Sequence, residues 1–436
     1  MPDLPVPVSN HPAATTVRYR VIGVTTVAAV LLYLDRICIA EIAKLDAFKS
    51  ELGLTATQTG AILSAFFFAY ALAQVPAGWL SDRFGARRML PAYILLWSLC
   101  TMLTGLATGF VMLIVARLVF GLAQAGCYPT AGSLIRRWSA LPVRGTASSI
   151  VSFGGRLGGA LAPILTAWLL KDYLGWRWVL VLYGASGILV ALLFWRVFRE
   201  TPEEHPHCNE AETKLIRDGD DEQANPDEQA PAFPPLLPLV RSGTMWLMCA
   251  LQFGINVGWV FLVTWLPTYL KDVRDVDPKI GGMMSTMILF AGIVGMLCGG
   301  RITDLATRKL GVRWGRSLPL VICYAVALAA YLACLRLESA WAFVAAASLV
   351  AFVTDLSVPA IWAYMQDVGG KNTAAVFGWG NMWGNFGAAT TPLLVPVVLE
   401  KWDSNGDWNE AFLLFSAGYL VAGLAALGIN ATRKVE

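Results

Sequence analysis

Twelve separate stretches, each about the length of a membrane span and predominantly apolar, recur along this chain. They lie near residues 18–43, 58–81, 89–107, 110–136, 145–170, 177–198, 244–270, 280–303, 317–336, 341–366, 374–400 and 409–431. A helix needs about 20 apolar residues to cross a hydrocarbon core about 30 Å thick. In that medium the backbone must satisfy its own hydrogen bonds, which a helix does within itself. The pattern predicts an all-α integral membrane protein with twelve transmembrane helices. Only 14% of the residues are charged, against about 25% in soluble domains, so much of the surface faces something other than water.

Lysine and arginine concentrate in alternate loops and in the segments next to both ends, which predicts both termini on the cytoplasmic side of a cell (inner) membrane. Residues 1–17 are polar and proline-rich and read as a cytoplasmic tail. Two six-helix halves follow, 18–199 and 244–432, with a short tail at 433–436. Between them lies a linker, 200–243, charged at first and then proline-rich, with room for one short surface helix. Residues 203–232 supply no apolar face and no intramembrane charge, so they are expected to tolerate shortening. The halves echo each other. GWLSDRFGARR (78–88) and GRITDLATRKLGVRWGR (300–316) both read Gly-x-x-x-Asp, then a glycine, amid basic residues. Pseudo-symmetric halves with a site between them are a common plan for secondary transporters.

Other chemistries find little support. The eight cysteines form no CxxC pair and sit mostly in apolar stretches, as small packing residues. His205, His207 and Cys208 lack a second ligand cluster, so no metal is expected. The glycine-rich runs at 154–159 and 378–387 lie in apolar spans and lack a phosphate-loop lysine. No basic tract suggests nucleic acid, and no cofactor is implied. A membrane-embedded enzyme would need catalytic groups gathered at one membrane face, and no such group of residues stands out.

The loop motif, with Gly78, Asp82, Arg83, Gly85, Arg87 and Arg88, resembles the loop 2–3 signature of the major facilitator superfamily. Arg117-Leu-Val-Phe-Gly121 resembles its helix 4 signature. Within it, YLDR (33–36), FFFAYALAQVPAGWLSDRFG (66–85), QFGINVGWVFLVTWLPTYL (252–270) and AETKLIRDG (211–219) are similar to the anion:cation symporters. That group holds galactonate and hexuronate carriers together with vesicular glutamate and sialic acid relatives. The resemblance implies a major facilitator fold. It also implies an anion-binding role for the arginines on the first and fourth spans, Arg36 and Arg117. The loop residues Asp82, Arg83, Arg87 and Arg88, with the second-half counterpart Asp304, read as a gate in which Asp82 accepts from backbone amides at a neighbouring helix N-terminus, or as positive charge that stays inside, and both can hold. One departure stands out: sugar-acid symporters commonly carry a glutamate seven residues after the helix 4 arginine, and here that residue is Gln124.

Charges within spans are costly and mark function by default. Asp35, Arg36, Arg117, Arg156 and Asp355 lie well inside spans. Arginine keeps its charge and offers a planar fork to a carboxylate, so Arg36 and Arg117 are the leading substrate ligands. Arg156 reads equally as a second contact or as a structural ion pair. Asp35 is the first proton-site candidate, against a permanent bridge to an arginine. Asp355 is the second, against a buried acid bonded to backbone freed near Pro359. Tyr33, Tyr70, Gln252, Asn256, Trp259, Trp362, Asn381 and Asn385 complete the expected pocket. Gln252, Asn256 and Trp259 share one helix face, as do Asn381 and Asn385. The whole reads as a monomeric importer of a small organic anion, such as a sugar acid, by proton symport with alternating access. A sodium-coupled or exchange carrier of a sulfonate, phthalate or phosphonate is the alternative.

Overall fold

The computed structural model describes residues 13–218, 233–402, 406 and 408–435. Among them, nine helical stretches are long and apolar enough to cross a membrane. Two of these hold two helices in succession. Residues 278–334 break at Gly311, whose φ of 74° is left-handed, and residues 340–401 break at the turn Gly370–Asn372. Ala86–Gly105, which opens with two arginines after its first residue, completes the set of twelve. They are α1 (Val17–Ile42), α2 (Ala56–Phe84), α3 (Ala86–Gly105), α4 (Phe110–Trp138), α5 (Arg144–Asp172) and α6 (Trp176–Val197) in the first half. The second half holds α7 (Gly243–Asp272), α8 (278–310), α9 (312–334), α10 (Ala340–Gly369), α11 (Thr373–Lys401) and α12 (Asn409–Gly428). No strand occurs among the described residues.

Two helices are interrupted near the centre. α4 breaks at Ala125 and Gly126, and α7 carries a π-helical turn at Phe261–Trp265. Such turns are frequent near functional sites. Within the halves α1 packs on α5, α3 on α6, and α7 on α11 and α12. The halves meet along α2 with α11 and α5 with α8.

The repeated motif explains these two seams. A Cβ at Gly78 would lie 2.3 Å from the Ala374 carbonyl oxygen, so only glycine lets α2 approach α11 this closely. One turn on, Asp82 accepts from the backbone N–H groups of Ala374 and Ala375 at 3.0 and 2.9 Å. In the second half Gly300 lies against Thr146 and Ser149 of α5. Asp304 accepts from the N–H groups of Gly145 and Thr146 at 2.9 and 2.8 Å, and from the Thr146 hydroxyl at 2.6 Å. Each acid thus caps the positive N-terminus of a helix in the other half. The expected loop at 304–316 is helical apart from Gly311. α2 breaks three residues past Asp82, at Gly85 (φ 85°), whereas α8 breaks seven past Asp304, at Gly311. The four-residue difference is about one further turn.

The segment after α6, read as a linker with room for one short surface helix, is tied to the first half at two points. Glu200 accepts from the N–H groups of Ala86 and Arg87 at 3.1 and 3.0 Å, capping α3, and also pairs with Arg137. A short helix, Glu210–Arg217, buries Ile216 and Glu212. The Glu212 carboxylate accepts from the Thr15 hydroxyl at 2.5 Å, from the N–H groups of Val17 and Arg18 at 3.1 and 3.0 Å, and from the Arg18 guanidinium at 2.9 Å. It caps α1. Shortening within 203–217 would remove this clamp, because one face of the short helix is committed to the first half. Residues 219–232, which carry Asp220, Asp221, Glu222, Asp227 and Glu228, lie outside the described residues. The N-terminal segment, the linker helix and the C-terminal Val435, whose N–H donates to the Val368 carbonyl, share one face of the molecule, called here the linker face.

Burial opposes ionisation of Glu212, but the hydrogen bonds from Thr15, Arg18 and Val17 and the Arg18 charge outweigh it and hold its pKa below the ordinary glutamate value. Glu212→Gln is expected to destabilise the protein by roughly 3 kcal/mol. The contribution is present above the unfolded pKa of about 4.3 and is lost as pH falls through the lower folded value. Thermal unfolding in detergent should therefore separate wild type from variant fully at pH 7, with the gap closing below about pH 4.

Candidate functional site

A cavity of roughly 210 Å³ lies between the halves. From the first half its wall includes Tyr33 and Arg36 of α1, Tyr70 of α2, Tyr128 of α4, and Ser152 and Arg156 of α5. From the second half it includes Gln252, Asn256 and Trp259 of α7, Asp355 and Trp362 of α10, and Asn381 and Asn385 of α11.

Arg36 stands among aromatic rings. Its guanidinium carbon lies 4.8, 4.9 and 4.5 Å from the ring centres of Tyr33, Phe66 and Tyr70. Its Nε donates to Gln124 Oε1 at 3.1 Å, and Gln124 in turn donates to the Leu32 carbonyl at 2.9 Å. One terminal nitrogen of Arg36 is buried without a partner. Gln124 thus holds the guanidinium in place without cancelling its charge. A glutamate at this position would have neutralised it.

Asp35 and Arg117 are not on the wall. Neighbours in a helix point about 100° apart, so with Arg36 facing the cavity, Asp35 faces the interior of the first half. It is 1% exposed, and its Oδ2 accepts from Trp97 Nε1 at 3.0 Å. Its Oδ1 has no partner. Arg117 lies two turns before Gln124 on α4, about 10 Å along the axis. Its guanidinium sits over the rings of Phe66 and Phe120 at 5.0 and 4.5 Å. Arg36 and Arg117 therefore flank Phe66. Two arginines line the cavity, not the expected three.

Arg156 and Asp355 meet across the halves, Nη2 to Oδ1 at 2.6 Å. Trp259 lies 4.5 Å beneath the Arg156 guanidinium. The alternative for Asp355, a bond to backbone freed at Pro359, is replaced by this pair. Asn256 and Asn385 each donate to the carbonyl one turn earlier, at 2.8 and 2.7 Å. Asn381 reaches Gln74 across the halves at 3.1 Å.

On the linker face, Asp367 receives Arg144 and Arg316, each at 2.7 Å. Arg136 bonds the Gly370 carbonyl, and Gln366 bonds Ser148 at 3.1 Å. Sequence reasoning missed Arg136, Arg144, Arg316 and Asp367 because they looked like ordinary loop-end charges. Of the expected basic cluster, Arg87 lies over the Trp195 ring, Arg83 lies beside Trp79 and Phe84, and Arg88 is exposed. Tyr128 and Ser152 were also missed. Neither carries a charge, and nothing in the local pattern distinguishes them from packing residues.

Residues 25–311 match the family model for the Major Facilitator Superfamily. The chain belongs to the major facilitator superfamily. Over 96% of its length this superfamily member is 31% identical to the probable sulfoacetate transporter SauU of Cupriavidus necator, covering 95% of that protein. Over 95% of its length it is 27% identical to the probable galactarate/D-glucarate transporter GudP of Bacillus subtilis, covering 92% of it. The crystal structure of the human organic anion transporter MFSD10 shares the fold at a TM-score of 0.70, with 16% identity, over 94% of this chain and 100% of that one. The resemblance read from the loop and helix 4 signatures is met by these matches. The chain is a multi-pass membrane transporter and not an enzyme.

Proposed function

We propose that this transporter imports a small organic acid by proton symport with alternating access, and that Arg36 binds the acid group. The observation that carries the reading is the state of Arg36: a guanidinium on the cavity wall, held by a neutral amide, with a buried nitrogen awaiting an acceptor. A planar guanidinium fork matches a carboxylate or sulfonate. The cavity is smaller than the roughly 300 Å³ at which drug-sized sites begin, which suits a solute of a few carbons. Gln252, Asn256, Asn381 and Asn385 supply amides that can meet hydroxyls. The substrates named for SauU and GudP are organic anions, in keeping with this chemistry.

Asp35 is the proposed proton site, since one of its buried oxygens is unpartnered. Asp82, Asp304 and the Asp367 cluster join the halves on the linker face, which the charge pattern assigns to the cytoplasm. They would close that side while the site loads from outside, and part when it unloads. Thermal unfolding of the purified protein with D-galactonate, galactarate, sulfoacetate and neutral D-galactose tests the sign of the substrate. At least one acid should stabilise the protein, by about 2.7 kcal/mol at a hundred times its dissociation constant, and galactose should not. Equal stabilisation by galactose and its acid would overturn the reading.

A further inference from the structure

We propose that Arg156 and Asp355 form a second acid-binding subsite that opens by protonation, so that the cavity accepts a dianion with two acid groups together with one additional proton. This rests on the reading that Arg36 holds the first acid group. Arg36 has no carboxylate partner among the described residues, so it supplies one net positive charge. Arg156 stands beyond Tyr33. That ring is 4.8 Å from the Arg36 guanidinium, and a Cβ at Gly155, next to Arg156, would lie 3.0 Å from it. The Arg156 charge is cancelled by Asp355 at 2.6 Å.

The pair is lopsided in a way that suits a switch. The Arg156 side chain is 28% exposed and that of Asp355 1%, so an arriving acid group meets the guanidinium first. Asp355 uses only Oδ1. Its Oδ2 is buried without a partner, and Gly292 of α8 backs onto it, leaving no side chain there to donate. A buried carboxylate oxygen with no donor is costly, and a proton on Oδ2 removes that cost. Arg156 from α5 is the charged group facing Asp355. α12 brings Tyr419, whose hydroxyl bonds Thr354 at 2.6 Å, α7 brings Trp259, α4 brings Tyr128, and α11 brings the neutral amides of Asn381 and Asn385. Asp355 is the one acid on the wall among the described residues.

In the step inferred, Asp355 Oδ2 takes a proton from cavity water. The ion pair becomes a guanidinium beside a neutral acid, and Arg156 turns its N–H groups to the second acid group of the substrate. On release Asp355 gives up the proton and pairs with Arg156 again. A dianion with its proton leaves the cavity at the same net charge as a monoanion alone, so one conformational cycle serves both.

The test compares D-galactonate, with one acid group, and galactarate, with two on the same six-carbon chain, by calorimetric titration of wild type between pH 5.5 and 8. The galactarate-to-galactonate affinity ratio should rise as pH falls, by up to about tenfold per pH unit, the limit for one linked proton. The ratio removes proton effects common to both acids, those of Asp35 included. In Asp355→Asn the ratio should be high at pH 8 and flat. In Arg156→Gln it should fall about tenfold or more at pH 5.5. A wild-type ratio that stays flat while both acids bind would overturn the subsite and leave the Arg36 reading standing. If neither acid binds at any pH, the subsite falls, and the Arg36 reading falls with it only if sulfoacetate also fails to stabilise the protein.

Discussion

Arg36→Lys is expected to lower uptake of the organic acid at least about a hundredfold, and to remove the stabilisation that the acid gives to wild type. Two charge-assisted hydrogen bonds from the guanidinium fork contribute about 1.5–3 kcal/mol each, and tenfold in affinity is about 1.4 kcal/mol. An ammonium is a point charge that cannot present both donors in the plane of a carboxylate. It would also lose the stack between Tyr33, Phe66 and Tyr70. Unfolding of the ligand-free variant separates binding from structure. Near-wild-type stability with lost binding fits a ligand, whereas wild-type binding in Arg36→Lys would make Arg36 structural. Gln124→Glu is the complementary arm. A carboxylate 3.1 Å from Arg36 Nε would cancel the charge and should weaken anion binding at neutral pH.

The spans, the two halves and the polar wall were legible because each rests on a local pattern. Long apolar runs give helices in lipid, and residues four apart share a face, so Gln252, Asn256 and Trp259 arrive together on the cavity. What the pattern could not settle was direction around a helix axis and contact at long range. Asp35 and Arg36 are adjacent in sequence, and only the packing of α1 on α5 decides which of them meets the cavity. Arg117 was grouped with Arg36 by charge, but α4 places it two turns away behind Phe66. The linker helix looked free because Glu212 and Ile216 are two residues in a charged segment. Their burial depends on the start of α1, nearly two hundred residues earlier. Asp367 likewise gains its two arginines only when α5, α9 and α10 converge. The helical stretch at 304–310 was missed because its charges imitate a loop, although Gly311 marks the true turn.

Asp35→Asn is expected to uncouple the transporter. The side chain is buried, forms no ion pair among the described residues, and uses one oxygen to accept from Trp97. Asparagine can keep that bond through its own oxygen, so the local structure should survive. It cannot take up or release a proton. A site that must carry a proton with each anion would then exchange substrate but not concentrate it. The comparison is best made in proteoliposomes loaded at alkaline pH and diluted into acid, with labelled organic acid outside. Wild type should accumulate the acid above equilibrium, without sodium, and lose it when a protonophore is added. Asp35→Asn should show counterflow exchange with no accumulation. Accumulation by Asp35→Asn equal to wild type, or wild-type accumulation that ignores the pH gradient and follows sodium, would contradict proton-coupled transport through Asp35.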